Sequence, residues 1–227
     1  MKRLLPAALT LLALAGCSAE KSSSAGDSSS AAPKTGATTA ATATAASSPS
    51  GPPAGWQTVQ DDKTGLSLAV PKGWAKIDVT SGDLAGAINE AGVQGPQAQR
   101  IRRLTAAFRG KDVLFVANTA ESTGGYVENV SGLCAPNNGV PAGAYKTVAR
   151  TGLTRLGAEV ASVNDFKAGG QPGVKVAYSL RSAQGTADAI QFRILMPGDK
   201  VCAVTVGTRH GAMLKDVDRI GDSIRAK

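Results

Sequence analysis

Val174-Lys175-Val176-Ala177-Tyr178-Ser179-Leu180-Arg181 alternates large apolar side chains with polar or small ones, the period of two that marks a strand packed on a core. Gln184-Gly185 reads as a turn that sends the chain back. Ile190, Phe192, Ile194 and Met196 then repeat the period, Pro197-Gly198-Asp199 turns again, and Cys202, Val204 and Val206 supply a third strand. Strands joined this closely are antiparallel neighbours, so the centre of the fold reads as a β-meander.

Downstream, Met213, Val217, Ile220 and Ile224 fall at helical spacing and predict a closing amphipathic helix. Upstream, Pro141 to Leu156 predicts a helix with Tyr145, Val148 and Leu156 inward and Gly157 as its stop. Tyr126 to Leu133 reads as a weaker strand. Val113-Leu114-Phe115-Val116-Ala117 is a continuous apolar run, expected as a central strand covered on both faces. Gly82 to Phe108 is helical in pattern and broken near Gly95, with Pro96 suited to a first helical position and Ile101, Leu104 and Phe108 along one face. Ahead of it, a turn at Asp61-Asp62-Lys63-Thr64-Gly65 precedes a strand of Leu66, Leu68 and Val70, and Pro71-Lys72-Gly73 turns the chain into Trp74, whose ring is expected on that strand. Hairpin-linked strands with helices enough for both faces predict an α+β fold, an antiparallel sheet between helical layers (α/β/α).

The first 55 residues have a different character. Lys2 and Arg3 precede an apolar run of 12 residues from Leu4 to Ala15. That suits a secretory signal and falls short of the ~20 residues a membrane span needs. Leu14-Ala15-Gly16-Cys17 matches a bacterial lipobox, with the Cys17 thiol as lipid acceptor; two or three acyl chains, at ~0.8 kcal/mol per buried methylene, would give a lasting anchor. Ser18 to Gly55 holds 34 Ala, Ser, Thr, Gly or Pro in 38 positions, with no aromatic residue and no Val, Leu or Ile. Such a stretch cannot bury enough apolar surface to order itself, and a disordered tether spanning roughly 35 Å is expected. The organisation expected is therefore a signal peptide over 1–16, a lipidated cysteine and tether over 17–55, and a single domain over 56–227 that contains all nine aromatic residues.

The lipobox, the tether, the opening Gly65-Leu66-Ser67-Leu68-Ala69-Val70-Pro71-Lys72-Gly73-Trp74 and the order of elements to Lys227 together resemble the LpqN-like lipoproteins of actinobacteria. The resemblance implies a PsbP-like (Mog-type) α/β/α domain that serves as a non-enzymatic binding module on the outer side of the cell membrane. It implies no catalytic residue.

Motifs for chemistry are missing. His210 is the single histidine, there is no Gly-x-Ser-x-Gly elbow, and no Walker or Rossmann glycine pattern occurs. His210, read at the start of the last helix, is expected in a surface or capping role. One histidine cannot build a His-x-Glu-x-x-His zinc site, and Asp61-Asp62 lacks calcium-loop spacing. No catalytic residue, metal site or cofactor is expected. Cys134 and Cys202 remain after lipidation, and in an oxidising compartment they are expected to form a disulfide, the alternative being two buried thiols that act as small hydrophobes.

Charge offers more. Without Lys2 and Arg3 the chain has 23 basic and 17 acidic residues, and the tether's own charges cancel, so the excess of +6 belongs to the domain. Arg100, Arg102, Arg103, Arg109 and Lys111 lie in an acid-free stretch, as do Lys146, Arg150 and Arg155. If both helices cover one side of the sheet, that side is basic. Outside the membrane the available partners are an envelope protein, anionic lipid or an acidic wall polymer, and not nucleic acid. The expected function is a membrane-anchored binding or adaptor module. A carrier of a small apolar ligand or lipid between sheet and helix is the alternative, and a hydrolase with an unrecognised site comes third.

Overall fold

The computed structural model describes residues 52–120, 126–182 and 185–226, all within one compact unit. The signal peptide, Cys17, the tether as far as Gly51 and residue Gln184 of the expected turn lie outside the described residues. The meander forms as β7 (Gln171–Ser182), β8 (Gly185–Met196) and β9 (Lys200–Arg209). It pairs with β7 against Gly173↔Ile194 through Ser182↔Gly185, and with β9 against Ala187↔Arg209 through Met196↔Lys200.

These three strands continue on both sides. β6 (Ala158–Ala168) flanks β7, and on the other side come β5 (Asn129–Pro136), β4 (Leu114–Asn118) and β3 (Trp74–Lys76), giving a seven-stranded antiparallel sheet ordered β3-β4-β5-β9-β8-β7-β6. β4 is thus an interior strand next to the short edge strand β3, and its first four residues are buried. A smaller antiparallel sheet joins β1 (Trp56–Asp61), β2 (Leu66–Pro71) and the two-residue β10 (Arg225–Ala226) in the order β1-β2-β10.

Register decides which residues share a face, because side chains alternate along each strand. On one face of the large sheet Leu114, Val130, Val204, Phe192, Ile194 and Trp74 of β3 meet Leu66, Leu68 and Val70 from the small sheet. Ile220 of α4 (Val217–Ser223) completes this layer. The fold is α+β with layers on both faces as expected, and one of the layers is a second sheet joined by a single helix. Trp74 does pack with the β2 side chains.

The opposite face carries the other three helices in two groups. α1 (Leu84–Glu90) and α2 (Gly95–Thr105) pack Ile88, Ala98 and Ile101 on Phe115 and Ala117. Asp83 caps α1, its Oδ1 accepting from the Gly86 N–H at 2.8 Å, and Pro96 stands in the first turn of α2, where its missing N–H costs nothing. α3 (Tyr145–Arg155) packs on Val174, Val176 and Tyr178. Its inward residues are Tyr145, Ala149 and Leu153, while Val148 is exposed and Leu156 lies at the C-cap. Tyr145 is inward as expected, and the correction is that Ala149 and Leu153 take the inward places expected of Val148 and Leu156: the i, i+4 row passes through a small alanine, which lets the helix sit close on the sheet.

Candidate functional site

The helix-bearing face carries the sequence-derived basic residues. Arg102 and Arg103 project from the last turn of α2, and Arg109 and Lys111 from the turn that follows; all four are exposed. Arg100 is half-buried and already has a partner within the chain. On α3, Lys146 is paired with Asp165 of β6 at 2.7 Å, Arg150 reaches the Val160 carbonyl at 3.5 Å, and Arg155 is exposed. Because α2 and α3 cover the same face, the two acid-free stretches share one side of the molecule. Exposed charges of this kind contribute little to stability, so they are available for another use.

Between the two helical groups the floor of the sheet changes character. Cross-strand partners on this face run Phe115, Ser131, Thr205, Gln191, Val176 in one row. The next row runs Ala117, Asn129, Gly207, Ala189, Tyr178. The outer members belong to the apolar clusters under α2 and α3, and the middle positions on β5, β9 and β8 are polar or small. Gln191 and Thr205 are buried and joined, the Gln191 Nε2 donating to Thr205 Oγ1 at 3.0 Å. Arg193 Nε donates to Gln191 Oε1 at 2.6 Å. Burial draws the guanidinium below its ordinary pKa, with the phenols of Tyr178 and Tyr145 near enough to oppose that.

Two tyrosines close over this seam. Tyr126 lies so near Gly207 that a Cβ there would stand 2.8 Å from the phenol oxygen, and burial raises its pKa. Tyr178 projects from β7 opposite Ala189 and is buried, which pushes its phenol well upward. Among the described residues its hydroxyl makes no hydrogen bond of ordinary geometry, and the Thr205 hydroxyl is the nearest group to act on it as a hydrogen-bond partner.

The expected disulfide is present: Cys134 and Cys202 are direct cross-strand partners on β5 and β9, with Cα atoms 4.0 Å apart. It faces the layer of the small sheet, away from the seam. No family model matches the chain, and no curated protein does. Among solved structures the chain is similar to the cyanobacterial PsbP (CyanoP) of Synechocystis sp. PCC 6803, at 15% identity over 81% of this chain and 99% of that one, with a TM-score of 0.46. It is similar to LpqN of Mycobacterium tuberculosis, described as involved in cell envelope biogenesis, at 11% identity over 74% and 84% of the two chains, with a TM-score of 0.42. A protein of Bacteroides thetaiotaomicron aligns at 10% identity over 75% of this chain, TM-score 0.43, and the present chain spans about half (48%) of its length.

His210 stands in a turn after β9 and not at the start of a helix, since α4 begins only at Val217. Its Nδ1 lies 2.8 Å from Asp188 Oδ1, an oxygen that also accepts from the Ser179 hydroxyl at 2.7 Å, while Oδ2 accepts from the Gly211 N–H at 2.8 Å. Burial opposes ionisation of Asp188, but these three donors together hold its carboxyl below the usual range. The carboxylate sits between serine and histidine, so Ser179 is bonded to the acid and not to the imidazole, unlike the order of a Ser-His-Asp triad. The arrangement ties the turn at 210–211 to β8. Among the described residues no cluster of three or more His, Cys, Asp or Glu suits a metal ion, and no helix is long and apolar enough to cross a membrane.

Proposed function

We propose that the chain is an LpqN-like envelope lipoprotein: a signal peptide over 1–16, an anchor at Cys17, a tether to Gly55, and a non-enzymatic binding module over 56–227 that meets an anionic envelope partner with its helix-bearing face. The observation that supports this best is the placement of α2 and α3 on one face of the large sheet, with Arg102, Arg103, Arg109, Lys111 and Arg155 exposed there. The lipobox sequence around Cys17 accounts for the anchor, and the domain's positive charge suits anionic lipid or an acidic wall polymer.

Two measurements test the reading. Cys17→Ser is expected to abolish metabolic labelling with a fatty acid, and labelling that survives refutes the anchor. The segment from Trp56 to Lys227 is expected to sediment with vesicles rich in anionic lipid at low salt and to be released near physiological ionic strength, where the screening length is about 8 Å. The triple change Arg102→Glu, Arg103→Glu, Arg109→Glu should abolish that sedimentation. Unchanged sedimentation would show that these cations only solvate the helix.

A further inference from the structure

We propose that α2 and α3 together hold one flexible linear polyanion, an acidic wall polymer with an anionic group in each repeat, that runs from one helix to the other. The inference rests on the reading of the helix-bearing face as an anionic-partner surface, and it commits that face to a polymer chain and not to the bilayer.

The first observation is where the counter-charges lie. Lys63 pairs with Asp78 at 3.4 Å, Lys76 with Asp61 at 2.8 Å, and Lys175 with Asp218 of α4. On the helix-bearing face Arg102, Arg103, Arg109, Lys111, Arg150 and Arg155 are exposed, and among the described residues none of them forms an ion pair. Lys146, paired with Asp165, is the exception on α3. No acidic residue occurs from Ala91 to Lys111 or from Asn129 to Gly157. Two rows of cations therefore raise the local potential with no carboxylate of their own to lower it.

The second observation is the distance between the rows. α2 rests on Phe115 and Ala117 of β4, and α3 on Val174, Val176 and Tyr178 of β7. The order β4-β5-β9-β8-β7 puts four inter-strand steps between them, about 19 Å at ~4.8 Å each. That exceeds twice the screening length of about 8 Å at physiological salt, so one small ion or headgroup cannot serve both rows. Sheet twist of about 20–25° per step also turns the sheet normal by roughly 80–100° from β4 to β7. The rows share a face of the sheet but diverge along it. A flat surface that meets one row leaves the other turned away, whereas a flexible chain follows the turn and meets both.

Apolar content argues the same way. Helices that lie on a bilayer bury apolar side chains in addition to using charge. Among the described residues Val148 alone is a large hydrophobic side chain exposed to solvent, so this face gives a bilayer little beyond Coulomb attraction. A polyanion needs no apolar contact, and five of the six cations are arginines, whose planar forks suit paired oxygens of phosphate or carboxylate.

The test uses the full-length chain purified in a non-ionic detergent and dye-labelled poly(glycerol phosphate). The polymer is fractionated into oligomers shorter than about 19 Å when extended and chains several times longer. Fluorescence anisotropy at constant ionic strength gives the affinity per phosphate. Once one row is bound the second contact is intramolecular, so long chains should bind at least about tenfold tighter per phosphate than oligomers. The pair Arg102→Glu and Arg103→Glu, or the pair Arg150→Glu and Arg155→Glu, should each remove that advantage. Arg→Gln changes at the same positions replace any reversed pair that circular dichroism shows to be unfolded. Equal affinity per phosphate for long and short chains overturns the proposal, as does an advantage that survives the change on either helix. Sedimentation of the domain with anionic vesicles without a chain-length advantage would sink this inference alone, and the absence of both would sink the broader reading with it.

Discussion

Opening the Cys134–Cys202 bridge is expected to destabilise the domain through the unfolded chain. In the folded state β5 and β9 are already paired from Asn129↔Gly207 to Pro136↔Lys200, so the bridge fixes nothing that the ladder leaves loose. In the unfolded chain it closes a loop across a sequence separation of 68. On the chain-entropy model a loop of this size is worth about 4 kcal/mol, an upper value because denatured chains retain some structure. At about 2–4 °C per kcal/mol for a domain of this size, the melting temperature should fall by roughly 8–16 °C. Mild reduction isolates this effect, because the thiols keep their volume in a core where Cys202 is 1% exposed. The double change Cys134→Ala and Cys202→Ala should cost somewhat more, since each lost sulfur also leaves a small cavity. Urea unfolding of oxidised and reduced protein, followed by circular dichroism, checks both parts. The reduced form should have a lower midpoint and a steeper slope, because an uncrosslinked chain exposes more surface. Equal midpoints would refute the entropic account.

Two further outcomes follow from local geometry. Gly221→Ala would gain about 1 kcal/mol from helix propensity alone, but the added Cβ would stand 2.4 Å from Phe192 Cε1 in the packed core; overpacking of about 1–3 kcal/mol should win, and a mutant as stable as the parent in urea would show that Phe192 yields freely. Burial opposes ionisation of Asp61, yet Lys76 at 2.8 Å and the N–H and hydroxyl of Thr64 hold its pKa below the usual range; its stabilisation is therefore full above the unfolded value near about 3.9 and lost as pH falls through the lower folded value. Asp61→Asn should cost about 1–3 kcal/mol at pH 7 and progressively less below pH ~4, and a gap constant from pH 7 to pH 3 would exclude this linkage.

The elements that are legible in the sequence are those whose burial is one-sided and long. β7 shows its period because Val174, Val176 and Tyr178 are buried while Lys175 and Ala177 are only partly so. β6 is far harder to read: it is an edge strand, its register shifts between Val160 and Ser162, and its side chains are mostly exposed or half-buried. A bulge moves every later side chain to the other face, which erases the period. β10 has two residues and exists only because β2 offers it an edge. On α3 the size of Val148 misleads, since close helix-on-sheet packing selects Ala149 instead.

The candidate site fails to show in the sequence for a related reason. Gln191 and Arg193 alternate with Phe192 and Ile194, so they read as the wet side of a half-buried strand. That reading conflicts with two other legible features: β8 is the middle of the meander, and the helices are numerous enough to cover both faces. An interior strand covered on both faces should be apolar throughout. Polar side chains there must satisfy one another or face a gap in the cover. Gln191 and Thr205 satisfy one another, and Arg193 is held through Gln191. The polar row across β5, β9 and β8 can be located only when register and helix placement are known together.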